Sequence, residues 1–265
     1  MRNILKMNLF RMKSTRIVYA MAIVSLGLSL LFFGIDWLIT SALSDISDFV
    51  NNPPGMEPAG TNVWGITRNT MMLGSVPLGA VMATLLFFFT EVSTGYAKNL
   101  VGYETNKYDH AGADLLTSAF YTGCLMLVTV ILFFILAVLG YDNPEFDNAG
   151  KFFVWLVISF IEVLAFITLL KALSDATGKT ILFMILGGVY PLLASSVYQL
   201  IDLAVIFGLD VEDFAVEKYT LLGGISSYNL SAEWSGLIIL GVIAAAVLVG
   251  AYLLDVLALK KRELK

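Results

Sequence analysis

Six long apolar runs constrain this chain more than any other feature of its sequence. A helix that crosses a lipid bilayer needs roughly 20 mostly apolar residues. Runs of that length begin near Ile17, Met71, Leu115, Phe152, Ile181 and Ser235. Hydrophobic residues make up 58% of the 265 residues, and charged residues only 14%. The sequence therefore predicts an all-α membrane protein with six transmembrane helices in a single domain.

We place the six spans near residues 17–40, 71–90, 115–139, 152–170, 181–200 and 235–259. The first follows a basic leader, but it is longer than the about 7–15 apolar residues of a signal peptide, so we interpret it as a retained anchor. The fifth is interrupted by GGVYP, from Gly187 to Pro191. This interruption predicts a kinked fifth span followed by an outer or re-entrant helix.

The uneven distribution of lysine and arginine predicts the orientation, because positively charged short loops stay in the cytoplasm. With the N terminus inside, only Arg68, Lys151 and Lys218 fall on the outer side, together with the acidic segments 41–69 and 199–233. The inner side holds Arg2, Lys6, Arg11, Lys13, Arg16, Lys98, Lys107, Lys171, Lys179, Lys260, Lys261, Arg262 and Lys265. All four tryptophans, Trp37, Trp64, Trp155 and Trp234, then lie near the outer interface. We therefore predict that both termini are cytoplasmic.

The residue inventory argues against an enzyme. Cys124 is the only cysteine and His110 the only histidine, too few for a thiolate cluster or a histidine metal site. The stretch ATGKT, Ala176 to Thr180, resembles the end of a phosphate-binding loop, but it lacks the upstream glycine and the preceding strand. We expect no catalytic, metal or cofactor site on this chain, and no nucleic-acid partner.

Two amphipathic stretches lie on the predicted inner side. Residues 1–16 place their basic side chains mostly on one face, which predicts an interfacial helix lying on the inner leaflet. After the second span the chain reads FFFTEVSTGYAKNLVGYETNKYDH, Phe87 to His110. Glu91, Gly95 and Lys98 are spaced to share one face of a continuing helix, on which Gly95 permits a close approach.

Together, the interfacial helix, six spans, the motif FxxExxxGxxKN and the broken fifth span resemble the type 2 ABC exporter permeases over essentially the whole chain. The resemblance implies that residues 91–112 form a cytoplasmic coupling region that docks on a separate ATPase subunit. Its contact residues would be Glu91, Gly95, Lys98, Asn99, Tyr103 and Lys107. ATP and Mg would be held by that ATPase. The chain departs from the family pattern early in the third span, where Asp114 and Thr117 replace an arginine or lysine.

The resemblance further implies a homodimer or heterodimer of permeases in a cell membrane, typically the bacterial cytoplasmic membrane. Its substrates would be amphipathic peptides or drugs, moved out of the cell. Met71, Met72 and Phe87 would offer a soft apolar wall for such a substrate.

Glu162 raises an alternative, since an acid in the middle of the fourth span is costly in a membrane. It predicts either a protonated acid bonded to a neighbouring helix or a group on the substrate path. The competing function is an ion- or proton-coupled secondary transporter, or a membrane assembly factor without transport activity.

Overall fold

Long helices dominate the part of the chain that the computed structural model describes, which is residues 2–51, 61–72, 75–93, 107–141, 144–191, 220–223, 228, 230 and 234–262. The helices are α1 Arg2–Ser14, α2 Arg16–Asn51, α3 Val63–Met72, α4 Ser75–Ser93, α5 Lys107–Gly140, α6 Ala149–Thr177, α7 Thr180–Pro191 and α8 Trp234–Arg262. Two short strands, β1 Thr61–Asn62 and β2 Pro144–Glu145, pair in parallel.

Within the described residues, five helical segments are long and apolar enough to cross a membrane: α2, the consecutive α3 and α4, α5, α6 and α8. Their outer faces carry exposed aliphatic side chains such as Leu139 on α5 and Val242 on α8. Such apolar faces are typical of a surface in contact with lipid, because their exposure to water would be unfavourable. The prediction of a helical membrane protein is thus confirmed at this level.

The helices extend beyond the apolar runs from which we predicted them. Helix α3 begins eight residues before the predicted second span, and α5 begins at Lys107 rather than near Leu115. The last part of the predicted coupling region, residues 107–112, is therefore the first part of α5. An apolar run stops at the first charge, but a helix continues where the charged side chain finds partners, as Asp114 does. In the fifth span, α7 continues as helix from Thr180 to Pro191 through the GGVYP stretch where we predicted an interruption, and residues 192–200 lie outside the described residues.

One end of the bundle, which we call the tryptophan end, gathers the four tryptophans. The indole nitrogen of Trp37 donates to the carbonyl of Gly140 at 2.8 Å, and that of Trp64 donates to the carbonyl of Phe146 at 3.3 Å. Lys151 lies over the Trp234 ring, 6.0 Å from its centroid. Trp155 is fully buried one turn further along α6. The prediction that the tryptophans lie on one side is confirmed, although no membrane orients that side.

The opposite end, which we call the terminal end, holds both α1 and the last turns of α8. Ile4, Asn8 and Met12 form the buried face of α1, which packs against α5. On α8, the Tyr252 hydroxyl donates to the carbonyl of Tyr108 at 3.1 Å, and Lys260 lies 4.9 Å from the centre of the Tyr108 ring. The first and last described helices therefore both contact α5 at one end of the bundle.

Helices α2 and α4 approach closely at Gly79. A Cβ atom at this glycine would lie only 2.4 Å from Cβ of Ser25 and 2.6 Å from its hydroxyl oxygen. Ser25 and Ser29 are themselves fully buried on α2. Lipid is as apolar as the side chains, so helices in a membrane associate largely through van der Waals contact. Small residues strengthen this contact because they let the two backbones approach closely.

We expect Gly79→Ala to separate α2 from α4 and to lower the thermal stability of the detergent-purified protein. Overpacking of this kind costs about 1–3 kcal/mol, partly offset by the roughly 0.5–1 kcal/mol by which alanine is preferred to glycine in a helix. Gly250→Ala on α8 is the matched control, since nothing lies within 4 Å of the added methyl group. Equal melting temperatures for the two variants would contradict the close approach.

Candidate functional site

A buried cluster of charges lies at the terminal end, where α5, α6 and α8 converge. We call it the lysine cluster, and it consists of Lys171, Asp114, Asp175 and Asp255. The Lys171 ammonium lies 3.0 Å from Asp114 Oδ2, 3.3 Å from Asp175 Oδ2 and 2.9 Å from Asp255 Oδ2. The whole residues Asp114 and Asp255 are each 1% exposed, and Lys171 is 7% exposed. One lysine thus binds carboxylates from three helices.

Two further side chains complete the environment of Asp114. The Asn8 amide of α1 donates to Asp114 Oδ1 at 3.1 Å, and His110 Nδ1 lies 3.1 Å from Asp114 Oδ2. Asn8 is 1% exposed, and this hydrogen bond gives the polar residue on the buried face of α1 a partner. The lysine cluster therefore also fixes the N-terminal helix to the bundle.

The cluster contacts both helices that flank residues 94–106. Lys171 Nζ lies 5.3 Å from the centre of the Phe88 ring on α4, three residues before Glu91. Asp114 lies seven residues after the start of α5. A cation over an aromatic face is attracted to it, and more strongly away from water. Lys171 thus contacts both helices that flank this segment as well as α8.

The charges in this cluster are held only because they are paired. Removing a charge from water is costly, and the attraction between buried partners repays that cost when geometry and hydrogen bonds are good. Here Lys171 donates to both Asp255 oxygens, at 3.0 and 2.9 Å. Such a cluster adds little net stability against an apolar alternative, but it fixes one arrangement of the helices.

Glu162 is a buried acidic residue outside the lysine cluster. It lies 13 residues from the start of α6 at Ala149, which is about 20 Å along the helix axis. Its Oε2 atom accepts a hydrogen bond of 2.9 Å from the backbone amide of Leu222, and Glu162 is 1% exposed. Leu222 has a left-handed backbone, with φ of 66°. We predicted either a bond to a neighbouring helix or a place on the substrate path; the observed partner of Glu162 is the backbone of a turn.

This contact concerns segment 199–233, which we placed on the outer side with an outer or re-entrant helix after the fifth span. The turn at Leu222 meets α6 near the middle of its length. The Tyr190 hydroxyl of α7 holds the same turn by donating to the carbonyl of Leu221 at 3.0 Å. Residues 220–223 therefore enter the bundle, as a re-entrant segment does.

The predicted coupling residues are described only in part. Gly95, Lys98, Asn99 and Tyr103 lie outside the described residues, and Glu91 is described only as part of the α4 backbone. Lys107 opens α5 and is 8% exposed. The burial of Lys107 suits a residue that anchors the base of the segment rather than one that contacts a partner.

The predicted path residues fall in the apolar core. Met71 and Phe87 are fully buried members of one large hydrophobic cluster, and Met72 is described only in its backbone. Arg11 of α1 lies 5.3 Å from the centre of the Phe87 ring. Met71, Phe87 and Glu162 are all interior residues, but Phe87 lies near the terminal end and packs beneath α1.

The pairing of Lys171 with Asp255 was not among the sequence predictions. A signal was present, because Asp114, Lys171 and Asp255 lie near those ends of three apolar runs that were placed on the same side. Opposite charges at equal depth in neighbouring spans predict a pair. Within the described residues, no group of three histidine, cysteine or acidic side chains could hold a metal ion.

Comparison with known proteins adds no family to this description. No family model matches the chain, and no curated protein or solved structure matches it either.

Proposed function

We propose that this chain is the permease subunit of an ATP-driven ABC exporter. The observation that carries the proposal is the lysine cluster, in which Lys171 joins the two helices flanking residues 94–106 to α6 and α8. A loop that receives force from a motor protein needs a rigid connection to the helices that it moves. The lysine cluster supplies that connection at the base of the segment whose sequence resembles a coupling helix.

Six spans with cytoplasmic termini agree with the positions of the two ends. Asn8 and Asp255 both lie at the terminal end, which supports an even number of crossings between them. Five candidate spans are described. A sixth crossing, between Thr180 beside Ser174 and Trp234 at the tryptophan end, is part of the proposal. The basic residues of α1 and of the last turns of α8 favour a cytoplasmic terminal end.

In the proposed assembly, Glu91, Gly95, Lys98, Asn99 and Tyr103 contact an ATPase subunit that binds ATP and Mg. Lys107 and the lysine cluster transmit its movement into α5, α6 and α8. A second copy of this chain, or a related permease, completes the pathway. The substrate is an amphipathic peptide or a drug, and the assembly works in a cell membrane, the bacterial cytoplasmic membrane for a chain of this kind.

The second candidate function is a secondary transporter that uses Glu162 as its ion- or proton-binding group. The burial of this acid in the middle of α6 favours it. However, Glu162 already binds the Leu222 amide, which is a structural use of the carboxylate. In the exporter, the same bond positions the re-entrant turn next to α6 and α7.

Purification of the tagged full-length chain from its native membranes tests the proposal. We expect an ATPase subunit to co-elute in mild detergent and to hydrolyse ATP in a vanadate-sensitive manner. The control is the same purification of a variant with residues 94–106 replaced by a glycine–serine linker of equal length, which should lose the ATPase. A wild-type chain that purifies intact without any ATPase would favour the secondary transporter.

A further inference from the structure

An apolar groove of about 650 Å³ opens on the outside of the bundle, between α1, α2 and α5. Side chains from all three helices line it, among them Phe10, Met12, Ala22, Leu26, Phe120 and Val128. Several of these face away from the protein, since Phe120 is 58% exposed and Val128 is 51% exposed. The groove is therefore open to whatever surrounds the membrane domain.

The walls of the groove are apolar except at one end. The two tyrosine hydroxyls nearby are occupied, because Tyr19 donates to the carbonyl of Lys13 at 2.9 Å and Tyr121 donates to the carbonyl of Val18 at 3.2 Å. Among the described residues that line the groove, only Lys13 is charged, and its side chain is exposed. The groove thus has a basic end at α1 and an apolar remainder.

The length of the groove matches one half of a bilayer. Its lining runs from Val18 to Leu26 along α2 and from Phe120 to Val128 along α5. Eight residues of helix span about 12 Å. One leaflet of hydrocarbon is about 15 Å thick, half of the roughly 30 Å core. A single acyl chain therefore fits along the groove when its headgroup lies at the level of α1.

The positive charge of residues 1–16 favours an anionic lipid. Residues 1–16 contain five basic residues and no acidic one: Arg2, Lys6, Arg11, Lys13 and Arg16. A basic segment at the membrane surface attracts anionic headgroups. A second copy of this chain would be a poor occupant, since a two-fold contact centred on the groove would bring two such basic segments together.

We propose that this groove binds one acyl chain of an anionic phospholipid, with the lipid phosphate next to Lys13. The lipid belongs to the leaflet on the side of the terminal end. It would fill the space between α1 and the bundle and hold α1 against α5, where Asn8 meets Asp114.

Cys124 provides the test, because it is exposed, lines the groove and is the only cysteine in the sequence. The rate of its alkylation by N-ethylmaleimide is measured on the full chain in detergent, with added phosphatidylglycerol or phosphatidylcholine. Only the unoccupied fraction reacts, so phosphatidylglycerol at about ten times its half-protecting concentration should slow alkylation about tenfold. Phosphatidylcholine at the same concentration should protect several-fold less.

Two variants make the result specific. Lys13→Gln should abolish the preference for phosphatidylglycerol, whereas Lys6→Gln, an exposed change on α1 away from the groove, should retain it. A cysteine moved to Leu139, 79% exposed at the far end of α5, should show no preference in a Cys124→Ser chain. Equal protection of wild-type Cys124 by both lipids, or protection that follows protein concentration instead of lipid concentration, would overturn the proposal.

Discussion

Replacing Lys171 with methionine should destabilise the protein more than any other single change at the terminal end. Methionine retains much of the side-chain volume but leaves Asp114, Asp175 and Asp255 without the ammonium that each contacts within 3.3 Å. Removing one partner of a buried ion pair costs about 3–5 kcal/mol. We expect a markedly lower melting temperature in detergent, measured by fluorescence-detected size-exclusion chromatography after heating.

Two comparisons separate lost charge from lost packing. Lys179→Met changes an exposed lysine eight residues away on the same side of the bundle and should leave stability within about 0.5 kcal/mol of wild type. Adding Asp114→Asn and Asp255→Asn to Lys171→Met removes most of the uncompensated charge and should restore much of the loss. If Lys171→Met and Lys179→Met have the same melting temperature, the lysine cluster does not hold the helices together.

Replacing Glu162 with leucine should release the re-entrant turn from the middle of α6. The Leu222 amide would lose its acceptor, and a buried donor without a partner costs about 1–3 kcal/mol. Leu222 also adopts a left-handed backbone that a leucine rarely takes, so the turn depends on the contacts that hold it. We expect lower thermal stability and faster proteolysis within segment 199–233.

The conservative change at this position gives the opposite expectation. Glutamine retains a carbonyl oxygen at the same place, so Glu162→Gln should keep the Leu222 bond and most of the stability. Ser159→Ala, one turn away and bonded only within α6, is the control for a buried polar change. If glutamine destabilises as much as leucine, the charge of Glu162 is what matters and the hydrogen-bond account is wrong.

Hydrophobic length and charge asymmetry were sufficient to predict the helical membrane domain and the gathering of tryptophans at one end. They located Glu162 in the interior because an acid amid apolar residues is conspicuous. They underestimated helix lengths at Lys107 and Thr177, since a charge that finds a partner does not end a helix. Helix ends near polar residues depend on tertiary contacts, which a single sequence does not display.

The lysine cluster shows a different limit. The resemblance implies an arginine or lysine early in the third span, where this chain has Asp114. The sequence alone offers no reason for an acidic residue at this place. In the structure Lys171 of α6 brings a cation to that place, with Asp255 of α8 on its other side. Which helices are neighbours is a property of packing, so the partner of Asp114 could not be read from its own span.

The most direct measurement of the central claim is a cross-link from position 98. In a Cys124→Ala chain, Lys98→Cys carries a benzophenone maleimide, native membranes are irradiated, and the cross-linked protein is identified by mass spectrometry. We expect capture of a protein whose sequence contains a phosphate-binding loop, and no such capture from Asp147→Cys at the tryptophan end. Failure to capture an ATPase from position 98 in a folded chain, or labelling of that position by an impermeant reagent from outside the cell, would contradict the central claim.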